Sequence, residues 1–240
     1  MTMWQNIMIN KKNFFFFTFI IIGIILTVSY KNYVNNKYEN ILYSVSYDPF
    51  FLKEENLDHF NSYKFIFPKS TNGKDVHGYL INADYILKKL NNHNNIIDSQ
   101  PFYLTSFFQP NIIALFAYFT NQSIFIIDNN GVKNFSLKAD LLIYLQIFLF
   151  YGSLILLFTE LIKHLNGNLV VIYCSLIAIE PSIMQWNISL MTESLSFSIL
   201  LLIFYFLLKP EIKYSYFVGF LLGLFFLQRT MMIYYFPLIL

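Results

Sequence analysis

Charge is segregated along this chain, and that segregation constrains the fold more than any other feature. The 16 Lys and Arg and 14 Asp and Glu residues fall mostly between Lys31 and Asp140, leaving long apolar runs on both sides. Only 12% of the chain is charged and 56% is hydrophobic, whereas a soluble domain carries about 25% charged residues. Such a chain is expected to be a polytopic membrane protein with one large hydrophilic insert. A net charge of +2 without a basic run gives no footing for nucleic acid. Cys174 is the single cysteine, so a disulfide within the chain and a structural zinc cluster are both excluded.

The first apolar run, Phe14 to Val28, follows Lys11 and Lys12. Ser29-Tyr30-Lys31 offers no small-x-small cleavage site, and bulky Phe14 to Phe17 suit an uncleaved anchor. Residues 14–28 are therefore expected to form the first membrane helix, with the lysines on the cytoplasmic side. Residues 29–138 form the extracytoplasmic loop. Within it Lys69 to Gly73 has loop composition, and apolar residues then recur at Val76, Tyr79, Leu80, Ala83, Ile86, Leu87 and Leu90. The offsets from Val76 describe one face of a helix, closed by Asn91 to Asn95. Pro101 to Phe119 is apolar but broken by Pro110, which suits helices lying at the interface. Asp128 to Gly131 reads as a turn.

Residues 139–240 carry the further membrane helices. Ala139 to Thr159 is long enough to cross a ~30 Å hydrocarbon core. Leu169 to Ile179 follows and stops at Glu180-Pro181-Ser182; Ser194 to Leu208 comes after a polar link from Gln185 to Glu193; Tyr216 to Leu240 is interrupted by Gln228-Arg229-Thr230. Lysines count toward the cytoplasm: Lys163, Lys209 and Lys213 then lie inside, and the lysine-free loop from Glu180 to Glu193 lies outside. The fold class expected is an all-α membrane protein, a polytopic helical bundle whose large first extracytoplasmic loop carries amphipathic interfacial helices. The whole chain, 1–240, forms a single membrane domain.

That topology puts Asp75, Glu193 and Arg229, the sole arginine, on the outer face. Each has two readings. Asp75 precedes the periodic face and suits a helix N-cap; it also suits catalysis at the membrane surface. Glu193 opens a membrane helix, where a carboxylate meets the helix dipole favourably. Arg229 near membrane depth either snorkels to water or holds an anion, such as a lipid phosphate, which guanidinium matches bidentately. His77 lies two residues from Asp75, but no second cluster at ligand spacing accompanies it, and no metal ligand is assigned. Asp48, Glu54, Glu55, His59, His93 and His164 read as solvated residues. No Gly-rich phosphate loop, Gly-x-Ser-x-Gly elbow or Walker motif occurs.

Three segments together resemble the GT-C class of integral membrane glycosyltransferases, including the protein O-mannosyltransferase and aminoarabinose transferase relatives. Asp75-Val76-His77-Gly78-Tyr79-Leu80-Ile81-Asn82-Ala83 is similar to their first-loop segment, an acidic residue followed by Tyr and a helix. Pro181 through Leu190-Met191-Thr192-Glu193-Ser194-Leu195 is similar to their second outer loop. Gly219 through Leu227-Gln228-Arg229-Thr230 matches a later Gly- and Leu-rich segment ending in arginine. Gln228 and Thr230 replace the commoner Thr and Pro, and Val76 rather than a second acid follows Asp75. The insert before Asp75 is long, so Asp48 stands as a rival for the first acidic position. Family members run to more helices, and the apolar ending Pro237-Leu238-Ile239-Leu240 leads us to expect an N-terminal fragment, truncated at its C-terminus.

The resemblance implies a polyprenyl-phosphate-sugar donor, a lipid, glycan or protein acceptor, and inverting displacement on the outer face of a bacterial plasma membrane. Asp75 would be the general base. Glu193 would orient the acceptor or assist a divalent metal if one takes part, with no other cofactor implied. Arg229 would neutralise the leaving phosphate, and Tyr79 would line the substrate side. Membrane lipids are the surrounding partners. The alternatives are a non-catalytic membrane scaffold or an inactive truncated remnant of such an enzyme; a secondary transporter fits less well, because no internal hydropathy repeat is present.

Overall fold

The computed structural model describes residues 3–37, 41–45, 63–67, 74–91, 108–127, 133–190 and 192–228. In chain order these form α1 (Met3–Lys37), β1 (Ile41–Val45), β2 (Tyr63–Phe67), α2 (Lys74–Leu90), α3 (Phe108–Phe119), β3 (Phe125–Ile127), β4 (Lys133–Phe135), α4 (Asp140–His164), α5 (Gly167–Ala178), α6 (Pro181–Asn187), α7 (Thr192–Leu207) and α8 (Lys213–Gln228). The chain is mostly helical. It divides into two compact units, one of Met1–Tyr33, Ser106–Gln109 and Asp140–Leu240, the other of Val34–Thr105 and Pro110–Ala139.

Among the described residues two helical stretches are long and apolar enough to cross a membrane: 22 residues of α1, Asn13–Val34, and the 25 residues of α4. Both exceed a ~30 Å hydrocarbon core at ~1.5 Å per residue. A third crossing exists if α5 and α6, bent by 51°, are one broken span. The first helix is longer than the 14–28 expected, because Lys31 does not stop it. Its ammonium is buried and meets Asp140 at 2.5 Å, over the Tyr144 ring at 4.9 Å.

The unit's polarity is inverted relative to a water-soluble protein. Phe14, Phe148, Tyr173 and Phe220 stand 63–76% exposed, while Thr27, Gln146, Ser153, Ser175, Asn187, Ser194, Ser196 and Ser198 are buried. Small and polar side chains at helix contacts, with large apolar ones outside, suit a bundle solvated by lipid rather than water. The apolar part of the core joins α1 to α4, α5, α6 and α7 through Phe16, Ile20, Phe150, Leu154, Phe158 and their neighbours. Phe16 stacks on Phe158 at 3.7 Å between centroids. A smaller cluster of Ile199, Ile203, Leu221 and Phe225 joins α7 to α8.

The bend between α5 and α6 follows from Pro181, which has no N–H to continue the α5 ladder. The last turn tightens instead, with Ile179 and Glu180 donating to Leu176 and Ile177 at 3.3 and 3.5 Å. Glu180 caps the new helix, accepting from Ser182 N and Oγ at 3.5 and 3.1 Å. The carbonyl of Ala178, left at the break, accepts from Tyr151 Oη at 3.0 Å. Tyr151 Oη also lies 3.1 Å from Thr27 Oγ1. Gly23 makes this crossing possible, since a Cβ there would clash with Ala178 O and stand 2.8 Å from Tyr151 Oη. The link from Gln185 to Glu193, expected to be polar, is corrected: Asn187, Ile188, Ser189, Leu190 and Thr192 are buried, as are Ile183 and Met184 just before it. Its apolar residues outweigh its charges, so it folds against the bundle.

At the far ends of α4 and α7, Glu160 accepts from Lys209 at 2.5 Å and Lys163 at 2.9 Å, with His164 Nε2 at 3.5 Å. Lys163, in the last turn of α4, and Lys209, after α7, therefore share one end of the unit. The hydrogen bond to Glu160 raises the Lys209 pKa above its ordinary value.

The second unit corrects the expectation of an all-helical chain. Four strands form one sheet in the order β1-β2-β4-β3, antiparallel except for the parallel β2–β4 pair. Short runs rich in Ile, Val, Tyr and Phe favour extended backbone, and β1 and β2 pair from Ile41↔Phe67 to Val45↔Tyr63. The helical face predicted in α2 is present: Tyr79, Leu80, Ala83 and Leu87 are buried, and Asp84 pairs with Lys88 at 2.7 Å. Pro110 does not break α3. It is the third residue of that helix, where a missing N–H has no intrahelical partner to lose. α3 ends with Asn121 at φ 52°, its N–H bonded to Tyr118 O and that of Gln122 to Ala117 O, the two bonds of a Schellman cap. The expected turn at Asp128 to Gly131 lies outside the described residues.

Gly23→Ala should lower the melting temperature in nanodiscs, because overpacking at ~1–3 kcal/mol exceeds the ~1 kcal/mol gained in helix propensity; an unchanged melt would contradict the close crossing. Glu160→Gln should also lower it. The sign of the pH effect follows from the raised Lys209 pKa: the pairing is intact below the ordinary lysine value of ~10.4 and is lost as pH rises through the higher folded value. Wild-type protein should therefore lose stability at strongly alkaline pH more steeply than Glu160→Gln, as read by melts across that range.

Candidate functional site

The first turn of α7 collects the unit's densest set of buried amides and hydroxyls. Gln109 Nε2 donates to Leu190 O at 3.2 Å. Gln228 Nε2, on the last residue of α8, donates to Gln109 Oε1 at 2.7 Å and to Thr192 O at 3.4 Å. Ser194 Oγ donates to Asn187 Oδ1 at 2.7 Å. Thr192 Oγ1 lies 3.3 Å from Glu193 Oε2. Gln109, Asn187, Gln228 and Ser194 are each at most 1% exposed, and Glu193, in the first helical turn, is half-buried.

The amide orientations follow from the acceptors. Leu190 O can only accept, so the Gln109 amino group faces it and its carbonyl faces Gln228. Gln228 must then offer its own amino group, which leaves Gln228 Oε1 as a buried acceptor without a donor. Asn187 Nδ2 and Ser196 Oγ are likewise buried and without partners. The two amides bracket one helical turn: Gln228 touches Thr192, and Asn187 touches Ser194.

The sequence-predicted site residues are placed unevenly. Glu193 opens α7 as expected. Asp75 falls second in α2 rather than just ahead of it, a correction of its N-cap position; the helix starts at Lys74, one residue early enough to take Asp75 into its first turn. The side chains of Asp75 and His77 lie outside the described residues, as do Asp48 and Arg229 entirely. Tyr79 is buried on the core face of α2. Among the described residues no three His, Cys, Asp or Glu side chains group as metal ligands would.

Gln109, Asn187 and Ser194 were not singled out by the sequence. Gln228 was, as an interruption of an apolar run; Gln109 is its partner across 119 positions, a pairing no local pattern encodes. No protein-family model matches the chain, and comparison with curated proteins and with solved structures found no match.

Interhelical hydrogen bonds inside membranes contribute ~0.6 kcal/mol on average in double-mutant cycles. Because the Gln109–Gln228 pair is fully buried, a Gln109→Leu/Gln228→Leu cycle should give a coupling at or above that value in chemical denaturation from mixed micelles. Additive single-variant effects would show that the two amides are not joined.

Proposed function

We propose that the chain is a multi-pass glycosyltransferase of the outer membrane face, moving a sugar from a polyprenyl-phosphate donor to an acceptor hydroxyl. The observation that carries this reading is the hydrogen bond from Gln228 to Thr192 O. It makes neighbours of the residue before Arg229 and the residue before Glu193, the two residues that the resemblance pairs with phosphate and acceptor. Arg229 and Glu193 each follow directly in the chain on one of the two residues that make this contact.

Orientation supports the same reading. α7 spans 16 residues, about 24 Å at 1.5 Å per residue, between Glu193 and the lysine-bearing end at Lys209. With the lysines cytoplasmic, the first turn of α7 faces outward, the side on which lipid-linked sugars meet polar acceptors. In a bacterial cell this is the outer side of the plasma membrane.

The reaction would form a bond from the acceptor oxygen to the anomeric carbon while the bond from that carbon to the phosphate oxygen breaks. Polyprenyl phosphate leaves with the electron pair, and the acceptor proton passes to a carboxylate, for which Asp75 is the candidate. Arg229 offsets charge gathering on the phosphate, and Glu193 orients the acceptor.

Reconstituted protein should transfer sugar from an undecaprenyl-phosphate-linked hexose. Asp75→Asn should slow transfer ~10²–10⁴-fold, the usual contribution of a general base, and Arg229→Lys should raise the donor KM. Full activity in Asp75→Asn protein removes the base assignment. No turnover by the wild-type chain, with no binding of undecaprenyl phosphate, leaves the non-catalytic scaffold as the reading.

A further inference from the structure

We propose that the exposed face of α3 is seated in a lipid leaflet, with Leu115 and Phe119 turned toward the acyl chains and Tyr118 at headgroup level. The partner is the lipid surface itself. The proposal goes beyond the transfer reaction and holds whether or not the chain moves sugar.

The residues of α3, from Phe108 to Phe119, include no charge. At 1.5 Å per residue its 12 residues reach about 18 Å, too short for a ~30 Å hydrocarbon core. This helix does not cross. Ile113, Ala114 and Ala117 are fully buried, while Leu115, Tyr118 and Phe119 stand 43, 46 and 80% exposed. Steps of three and four residues bring the exposed side chains together on one side of the helix, opposite the buried ones. A helix that turned this side to water would carry polar or charged residues there. α3 carries an aliphatic and two aromatic side chains instead, the kind of surface that marks a membrane or protein contact.

The place where α3 begins selects lipid as the occupant. Gln109, its second residue, donates to Leu190 O and accepts from Gln228. It belongs to the unit whose outward phenylalanines suit an apolar solvent. One continuous helix carries the chain from Gln109 to Phe119, about 15 Å along its axis, so the exposed face lies no farther than that from the α7 start. The chain on either side is also tied to the membrane, since the crossing stretch of α1 ends at Val34 and that of α4 begins at Asp140.

A second copy fits this face less well. Helices that pack on one another in membranes meet through small residues, and the alanines of α3 are already covered on its buried side. An uncharged apolar face of large side chains instead suits the headgroup–acyl boundary, into which surface helices sink ~5–10 Å. Tyr118 completes the match, because a ring with a polar tip is favoured where hydrocarbon meets headgroups. The charged clusters elsewhere call for no partner: Glu160 is met by lysines and Asp84 by Lys88.

The test uses the full chain in bilayer nanodiscs, with Cys174→Ala removing the native thiol. One nitroxide label at a time is attached at Leu115→Cys or Phe119→Cys. Power-saturation electron paramagnetic resonance then compares collisions with oxygen, which concentrates in hydrocarbon, and with a neutral nickel chelate, which stays in water. Oxygen should dominate at both positions, giving a depth parameter of the sign found inside bilayers. Both side chains are exposed, and thermal melts identify a variant that has not folded, in which case the other position decides. Dominant access of the nickel chelate puts the face in water and overturns the proposal. Exclusion of both reagents puts protein over the face and overturns it as well; dipolar broadening that disappears on dilution with unlabelled chain would identify that protein as a second copy.

Discussion

A hydroxyl or amide turned toward hydrocarbon has no water to bond, and the first unit is arranged around that restriction. Its serines, threonines and amides face other helices, where they find backbone carbonyls or one another. Its phenylalanines and leucines face outward, where an apolar solvent costs them nothing. Charges obey the same rule. Lys31 is buried only because Asp140 meets it, and Glu160 only because two lysines do; both clusters stand near helix ends, where ionised groups are least expensive to hold.

The same restriction explains why the broken helix is stable. Pro181 frees backbone groups that a continuous α-helix would have bonded, and each acquires a substitute: a tightened last turn, the Glu180 cap, and the Tyr151 hydroxyl on Ala178 O. The chain emerging from that bend carries Asn187, Leu190 and Thr192 into the neighbourhood of Gln109 and Gln228. An irregular backbone segment inside an apolar bundle is tolerable where protein groups line it, so the amide chain at the α7 start follows from the break. The exceptions among the described residues are Gln146 Oε1, Ser175 Oγ, Asn187 Nδ2, Ser196 Oγ and Gln228 Oε1, spread over α4, α5, α6, α7 and α8.

Periodicity carried α2 well. The face read from Val76 to Leu90 contains Tyr79, Leu80, Ala83 and Leu87, all buried, because a repeat near 3.6 leaves no competing way to bury them together. Segment existence was similarly legible for α4, α5, α7 and α8, whose charge-free runs exceed ten residues. Boundaries were less so: Lys31 and Pro110, read as a flank and a break, lie inside helices, one by virtue of a distant aspartate and the other by its place in a first turn. The sheet was missed because strands of three to five residues are too short to show alternation against aromatic-rich surroundings. Their stability comes from pairing between segments far apart in the chain.

What the sequence determined by itself is which segments are apolar enough to suit lipid, since that depends on composition, which adds along the chain. It also determined that Glu193 opens a helix, a local matter of polar residues followed by an apolar run. Only the tertiary structure decided that Asn187, Ile188, Ser189 and Leu190 of the link before α7 are buried, that Lys209 reaches Glu160, and that Gln109, Gln228 and Asn187 contact the first turn of α7 or the residues beside it. Those contacts join residues up to 119 positions apart. Their hydrogen bonds exist only once helix packing has excluded other partners, so no window of sequence contains them.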